Sequence, residues 1–414
     1  NRLRLPPDVS PIAHAVLAAC TPNPTDEPRS CLMLASPQKQ LLWAVDMETG
    51  AVVPANNRFF PLTVPLKAFA SRLASLPNTP FVWALDGSKG HLYAIPIQKN
   101  QAFVNQPFAF SSIEKPAVDA TLFLDNTQRT TALITSPKEK QIHVLPLDIN
   151  TGIANTNAGF VVNVATAPHH IATDHDSQWA VITNPASTQV QILSLANLAQ
   201  NPSVQSVDVG HRTRLVTIGK AQLEPQQPPQ TVAMVVGDFL KNENDSATAE
   251  THITWIPLSH STDRSQLIKL PIQNKKKSKN ENQNNMPDQD KNKTTEDKGF
   301  VQVAYMPSGN DISPCCGHTK ENQEPWAAVA TTNGTLIYIT LNSQKQLRVT
   351  KEISLSNRNQ LGDGAVNPVA LVGGKLHLPQ NSEPPSNMCK RQMFLVFPSL
   401  VASFCEGSST ARRL

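Results

Sequence analysis

His169, His170, Asp174, His175 and Asp176 crowd imidazoles and carboxylates into one short stretch of the chain. Such groups can ligate a cation or relay a proton near neutral pH. Their setting favours a plainer reading. Residues 174–178 form a polar turn between apolar runs, and Asp side chains in turns are taken up by neighbouring backbone N–H groups. His169 is placed to support the strand before that turn by hydrogen bonding. A second group, Cys315-Cys316-Gly317-His318, is compact, but adjacent cysteines rarely supply a tetrahedral site, and no CxxC or CxxCH occurs. No metal or cofactor is expected. The chain also lacks a Gly-rich phosphate loop and a nucleophile elbow. Arg212 and Arg214 lie further on. With His169 and His170 they are the candidates for a site, provided the fold brings them together.

The elements that must position them are paired apolar runs. They fall at 31–35 with 41–46, 81–85 with 91–95, 131–135 with 141–145, and 179–184 with 190–195. Three more follow at 231–236 with 252–256, 326–330 with 335–340, and 393–397 with 400–404. Turn residues separate the partners, Asn333-Gly334 being a strong hairpin signal. The pairs start about 50 residues apart through the fifth and further apart after it. A strand pair repeating on a scale close to the ~40–45 residues of a typical blade cannot bury its faces alone and must stack on copies of itself, as the blades of a β-propeller do. Each pair supplies the middle strands of a four-stranded blade. First strands are expected at 120–124, 169–173, 301–305 and 368–372, and fourth strands at 160–164 and 347–353. The last unit runs out of chain before its fourth strand. A propeller must close its ring, so residues near 2–5 are expected to fill that place. The expected fold is all-β: a single β-propeller over residues 1–414, with seven four-stranded blades closed by an N-terminal strand.

Composition narrows the partners. The net charge is only +4 over 414 residues, and the basic residues form no stripe with interleaved aromatics, which disfavours nucleic acid. No apolar run approaches the ~18–20 residues of a membrane span. Leu17-Ala18-Ala19-Cys20 fits a bacterial lipobox, but Pro6, Pro7, Asp8, Pro11 and His14 spoil the preceding stretch, so a lipid anchor is not favoured. Residues 274–298, rich in Lys, Asn and Asp, show no apolar periodicity and read as a polar insertion between the fifth and sixth blades. The triplets at Asn244, Asn292 and Asn333 match the glycosylation pattern, two of them inside polar insertions.

The cysteines share one rim. Strands in a blade alternate direction, so turns from first to second strand and from third to fourth lie on one face. Cys20 and Cys31 bracket the first-to-second turn of unit one; Cys315 and Cys316 sit in that of unit six and Cys389 in that of unit seven. Cys405 ends the third strand of unit seven. An even number of cysteines in an exported chain argues for disulfides. Cys20–Cys31 is the expected pair, and the other four can join in three ways.

Residues 167–195 carry more than the general pattern. Pro168, His169, Ile171 and Ala172, then Ala180-Val-Ile-Thr-Asn184, then Val190, Ile192 and Leu195, resemble the YVTN-type repeat of bacterial secreted propellers. The other six units match it only in hydrophobic pattern. That family holds lactonase-like enzymes, quinoprotein-like chains, surface-layer components and outer-membrane lipoproteins. The resemblance therefore implies a propeller that is secreted, periplasmic or on the outer surface of a bacterium, and leaves the activity open.

The expected function is a non-catalytic binding module or structural subunit of a cell-envelope or extracellular assembly, with other proteins as partners. The alternative is a lactonase-like or quinoprotein-like enzyme at the channel mouth. That alternative needs several titratable side chains converging from the first strands. Most first strands other than the one at His169 and His170 read as apolar or small.

Overall fold

The computed structural model describes residues 2–4, 11–20, 29–46, 64–65, 70–76, 79–97, 110–174, 176–221, 228, 230–239, 250–258, 268–272, 301–305, 326–331, 335–341, 347–354, 369–375, 391–397 and 400–405. Strand β1 (Arg2–Arg4) comes first in the chain and completes the last sheet. The first sheet is β2 (His14–Cys20), β3 (Arg29–Ser36), β4 (Leu41–Asp46) and β5 (Val64–Pro65). The second is β6 (Ala70–Ala74), β7 (Phe81–Asp86), β8 (His91–Pro96) and β9 (Phe110–Ser112). The third is β10 (Ala120–Leu124), β11 (Thr130–Ser136), β12 (Gln141–Pro146) and β13 (Phe160–Asn163). The fourth, the clearest in sequence, is β14 (His170–Thr173), β15 (Trp179–Thr183), β16 (Gln189–Ser194) and β17 (Val204–Asp208). The fifth is β18 (Arg212–Ala221), β19 (Gln230–Phe239), β20 (Glu250–Pro257) and β21 (Ile268–Ile272). The sixth is β22 (Val301–Tyr305), β23 (Trp326–Thr331), β24 (Thr335–Leu341) and β25 (Leu347–Ser354). The seventh holds β26 (Ala370–Lys375), β27 (Arg391–Phe397), β28 (Leu400–Cys405) and β1, whose Leu3 lies opposite Val401.

Each of these sheets is antiparallel with its strands in chain order, β1 alone coming from the far end. Their first strands touch in an unbroken circle: β2 with β6, β6 with β10, then β14, β18, β22, β26 and back to β2. This is a β-propeller, closed where the sequence expects it. The residues of the lipobox-like motif, Leu17 to Cys20, form the end of β2. Among the described residues no helix is long and apolar enough to cross a membrane.

Middle strands carry apolar residues on both sides because both faces are covered. Side chains alternate across β7, so Val82 and Ala84 pack towards the first sheet with Met33 and Ala70. Phe81, Trp83 and Leu85 pack towards the third with Leu122 and Ile134. The alternation carries on: Leu133 meets Ile171 and Ile182 of the fourth sheet, and Val181 meets Val216 and Val235 of the fifth. Met234 and Trp255 then face Val329 and Ile337 of the sixth. Among the described residues, each of the first five blades thus shares its core with both neighbours, the first meeting the seventh through Val396, as stacked repeats require.

The pairing of β18 with β19 shifts register between Thr213 and Leu215, and Gly237 lies opposite Thr213. A Cβ on Gly237 would stand 1.5 Å from the Arg212 carbonyl oxygen. Backbone must move to admit it, so Gly237→Ala is expected to cost about 2 kcal/mol, read as a lower denaturant midpoint at unchanged slope.

Candidate functional site

Antiparallel register aligns the sheets residue by residue. His14 lies opposite Ala35, Arg72 opposite Leu85, and His170 opposite Thr183. Asp119 immediately precedes the Ala120–Ile134 pair, and its carbonyl accepts the Thr135 N–H at 2.9 Å. These four side chains therefore occupy one equivalent position, at the start of the first strand, in four consecutive sheets. The fifth sheet has Leu215 there, opposite Val236. The result is an arc of His, Arg, Asp and His around one mouth of the channel. That mouth lies on the face that also carries the second-to-third-strand turns and the crossings between sheets.

Asp119 is the centre of the arc. Its Oδ1 accepts the Ala120 N–H at 2.9 Å and its Oδ2 the Ile171 N–H at 3.1 Å. Arg72 Nε stands 3.5 Å from Oδ1, and His170 Nε2 3.6 Å from Oδ2. The Asp119 N–H donates to Thr135 Oγ1 at 2.9 Å. One carboxylate thus ties the second, third and fourth sheets together. His14 repeats the device one step earlier, its Nδ1 accepting the Leu73 N–H of the second sheet at 3.2 Å. That bond places the His14 proton on Nε2. Further along the channel, Thr121 and Thr173 pair their hydroxyls at 3.0 Å, and Thr173 Oγ1 donates to the Leu122 carbonyl at 2.9 Å.

Burial sets the charges. It pushes His14 down to about 3, helped by the Arg72 guanidinium and, after it, by the neighbouring His170. Burial also lowers His170, against the pull of Asp119 and with the push of Arg72. Both imidazoles are neutral at neutral pH. His170 Nε2 faces Asp119, and its Nδ1 is closed off from solvent without a hydrogen-bond partner.

Arg214, just before the equivalent position of the fifth sheet, pairs through Nε with Asp238 Oδ2 at 2.5 Å. Burial raises the Asp238 carboxyl, partly offset by Arg214 and Arg212. The carboxylates at the mouth are buried, Asp119 being 7% and Asp238 9% exposed, whereas Arg72 is 34% and Arg214 40% exposed. What solvent meets at this mouth is therefore cationic. Exposed Lys39, Lys89, Lys115, Lys138, Lys140 and Arg212 rim the same face, against Glu114, Glu139 and Asp208.

Of the residues singled out in sequence, His170 belongs to the arc and Arg212 and Arg214 to its rim. His169 contributes backbone: its N–H donates to the Thr183 carbonyl at 2.9 Å. Most first strands other than the one at His169 and His170 read as apolar or small in sequence, and that reading passed over His14, Arg72 and Asp119. Asp174 is a turn residue, its Oδ1 accepting the Gln178 and Trp179 N–H groups at 2.8 and 2.7 Å. His175 lies outside the described residues. Among the described residues no three His, Cys, Asp or Glu side chains are placed to hold a metal ion.

Among the cysteines, Cys31 is wholly buried and is not a free thiol. In the β2–β3 register Cys20 lies opposite Arg29 and Cys31 opposite Ala18. Cys405 ends β28. Cys315, Cys316 and Cys389 lie outside the described residues, as do Asn244, Asn292, Asn333 and 274–298.

No protein-family model matches the chain, the YVTN-type repeat included, and no curated protein matches it in sequence. Solved structures do. Hydrazine synthase of Kuenenia stuttgartiensis superposes with a TM-score of 0.55 at 10% identity, over 96% of both chains. The β-propeller domain of Cps50 (Swd1) from Myceliophteria thermophila gives 0.50 at 8% identity, over 98% of both. Identities this low speak for architecture and for nothing more specific. By strand order, ring closure and these likenesses, the chain is a β-propeller.

Proposed function

We propose that this propeller is a protein-binding module of an exported assembly, and that it takes an acidic segment of its partner at the cationic mouth. The observation that carries the reading is the arc itself. Four successive first strands place His14, Arg72, Asp119 and His170 at one register position, with carboxylates buried and guanidiniums accessible. Arg72 and Arg214 offer N–H donors suited to a carboxylate, His14 offers an Nε2–H, and the lysine rim steers acidic partners towards them.

The enzyme reading has one observation in its favour, the Asp119–His170 pair, in which a carboxylate orients an imidazole. Its other nitrogen, Nδ1, is closed off from solvent, so within this pair no substrate atom reaches the nitrogen that would act as a base. Binding is preferred for that reason. We extend the proposal to the rim cysteines: Cys20 and Cys31 join across the β2–β3 turn. Peptide mapping without reductant should recover them as one linked peptide, and recovery of Cys31 linked elsewhere would refute that pairing.

The test of the binding reading is fluorescence anisotropy with a fluorescein-labelled decaglutamate peptide. Micromolar affinity that falls with added salt is expected, with about a tenfold loss in Arg72→Gln, the scale of one charge-assisted contact. Equal affinity for a neutral Gly-Ser peptide, or no change in Arg72→Gln, would contradict it.

A further inference from the structure

A pocket of about 230 Å³ opens on the opposite face of the disk, between the third and fourth sheets. Its floor is Phe123, Val144, Leu195 and Leu198, all part of the core cluster those two sheets share, so the pocket reaches into the shared core. The lips are held by hydrogen bonds. Asp125 Oδ1 accepts the Thr127 and Arg129 N–H groups at 2.8 and 3.0 Å, and Asp125 pairs with Arg129 at 2.9 Å, so the turn is rigid and its charges cancel. Asn126 Nδ2 donates to the Ala196 carbonyl, which bolts this turn to the loop of the fourth sheet. One polar group belongs to the buried part of the lining. Thr131 is 2% exposed, and its hydroxyl donates to the Arg129 carbonyl at a long 3.5 Å, which leaves Oγ1 able to accept.

We propose that this pocket is a second binding site, for a neutral, flat aromatic molecule of about two fused rings with a single N–H or O–H that donates to Thr131 Oγ1. Size decides the class: a cavity of about 150 Å³ lined by Leu, Ile and Phe stays dry and takes benzene, and this one is half as large again. Charge decides the rest. The Asp125–Arg129 pair neutralises the lip, so no ionic group is called for, and the apolar floor rewards burial of a ring. The site is independent of the cationic mouth and stands or falls separately from it.

The probe is indole, titrated calorimetrically into the full chain. One saturable site is expected on the wild-type protein. Ala199→Trp, on an exposed residue of the lip, should fill the pocket and weaken binding at least tenfold without lowering the melting temperature. Thr131→Val keeps the shape and removes the acceptor, and should weaken binding roughly fivefold. Absence of saturable binding, or wild-type affinity in either variant, would overturn the assignment.

Discussion

Asp119→Ala is expected to remove about 4 kcal/mol of stability, the largest loss of any single substitution at the mouth. The carboxylate accepts two backbone N–H groups, those of Ala120 and Ile171, in different sheets. Both residues are buried, at 8% and 3% exposed, so water does not replace the lost acceptor. A buried donor left unpaired costs about 1–3 kcal/mol, and two are orphaned here. The Arg72 contact adds less, because that side chain is a third exposed and solvent screens it. Asp119→Asn retains one carbonyl acceptor and should lose about half as much. Denaturant midpoints of the two variants check the claim. Equal midpoints for Asp119→Ala and wild type would show that the carboxylate does not tie the three sheets.

Acid should loosen the same region. The His14 pKa lies at about 3 in the folded protein, against 6.5 for an ordinary histidine. Between those values the unfolded chain binds a proton that the folded one refuses. Stability is therefore complete above pH 6.5 and falls as pH drops, by about 1.4 kcal/mol per unit for each such group. His14 alone accounts for about 2 kcal/mol between pH 6.5 and 5. His170 and His143, both lowered chiefly by burial, act in the same direction. Asp174 and Asp238 are raised, also by burial, and act in the opposite direction, most strongly as pH falls towards 4. His14→Gln should flatten the slope between pH 7.5 and 5 by about one proton. An unchanged slope in that variant would mean His14 is not held neutral by its surroundings.

The legible part of the fold was the part that burial writes twice. β7, β11 and β15 are apolar on both faces because each feeds two cores, and such runs stand out in sequence. The closing strand was legible by topology: the last unit lacked an edge, and Arg2–Arg4 supplies it. First strands were harder to read. They line the channel with one edge and carry short mixed patterns, such as ASRLA in β6, where a bulge falls between Ala70 and Arg72. In β2 the last four residues, Leu17 to Cys20, also fit a lipobox, a reading that the preceding prolines and Asp8 disfavour. The arc was invisible for a related reason. His14, Arg72, Asp119 and His170 are equivalent only through their partners in the second strands, and turns of unequal length separate each from its partner. Asp119 was missed by one residue, since the strand read at 120–124 begins just after it. Aligning the units on their second strands and reading backwards through the pairing would have found all four.

The central claim is that an acidic partner sits at the mouth framed by Arg72 and the lysine rim. Site-specific photo-cross-linking tests it most directly, with a benzophenone side chain at Lys89 on the mouth face and, separately, at Asn197 on the opposite face, in cells that make the protein. The account predicts one defined adduct from position 89, with the cross-linked peptide of the partner rich in Asp and Glu, and none from position 197. An adduct from position 197 alone, or a partner peptide without acidic residues at position 89, would contradict it.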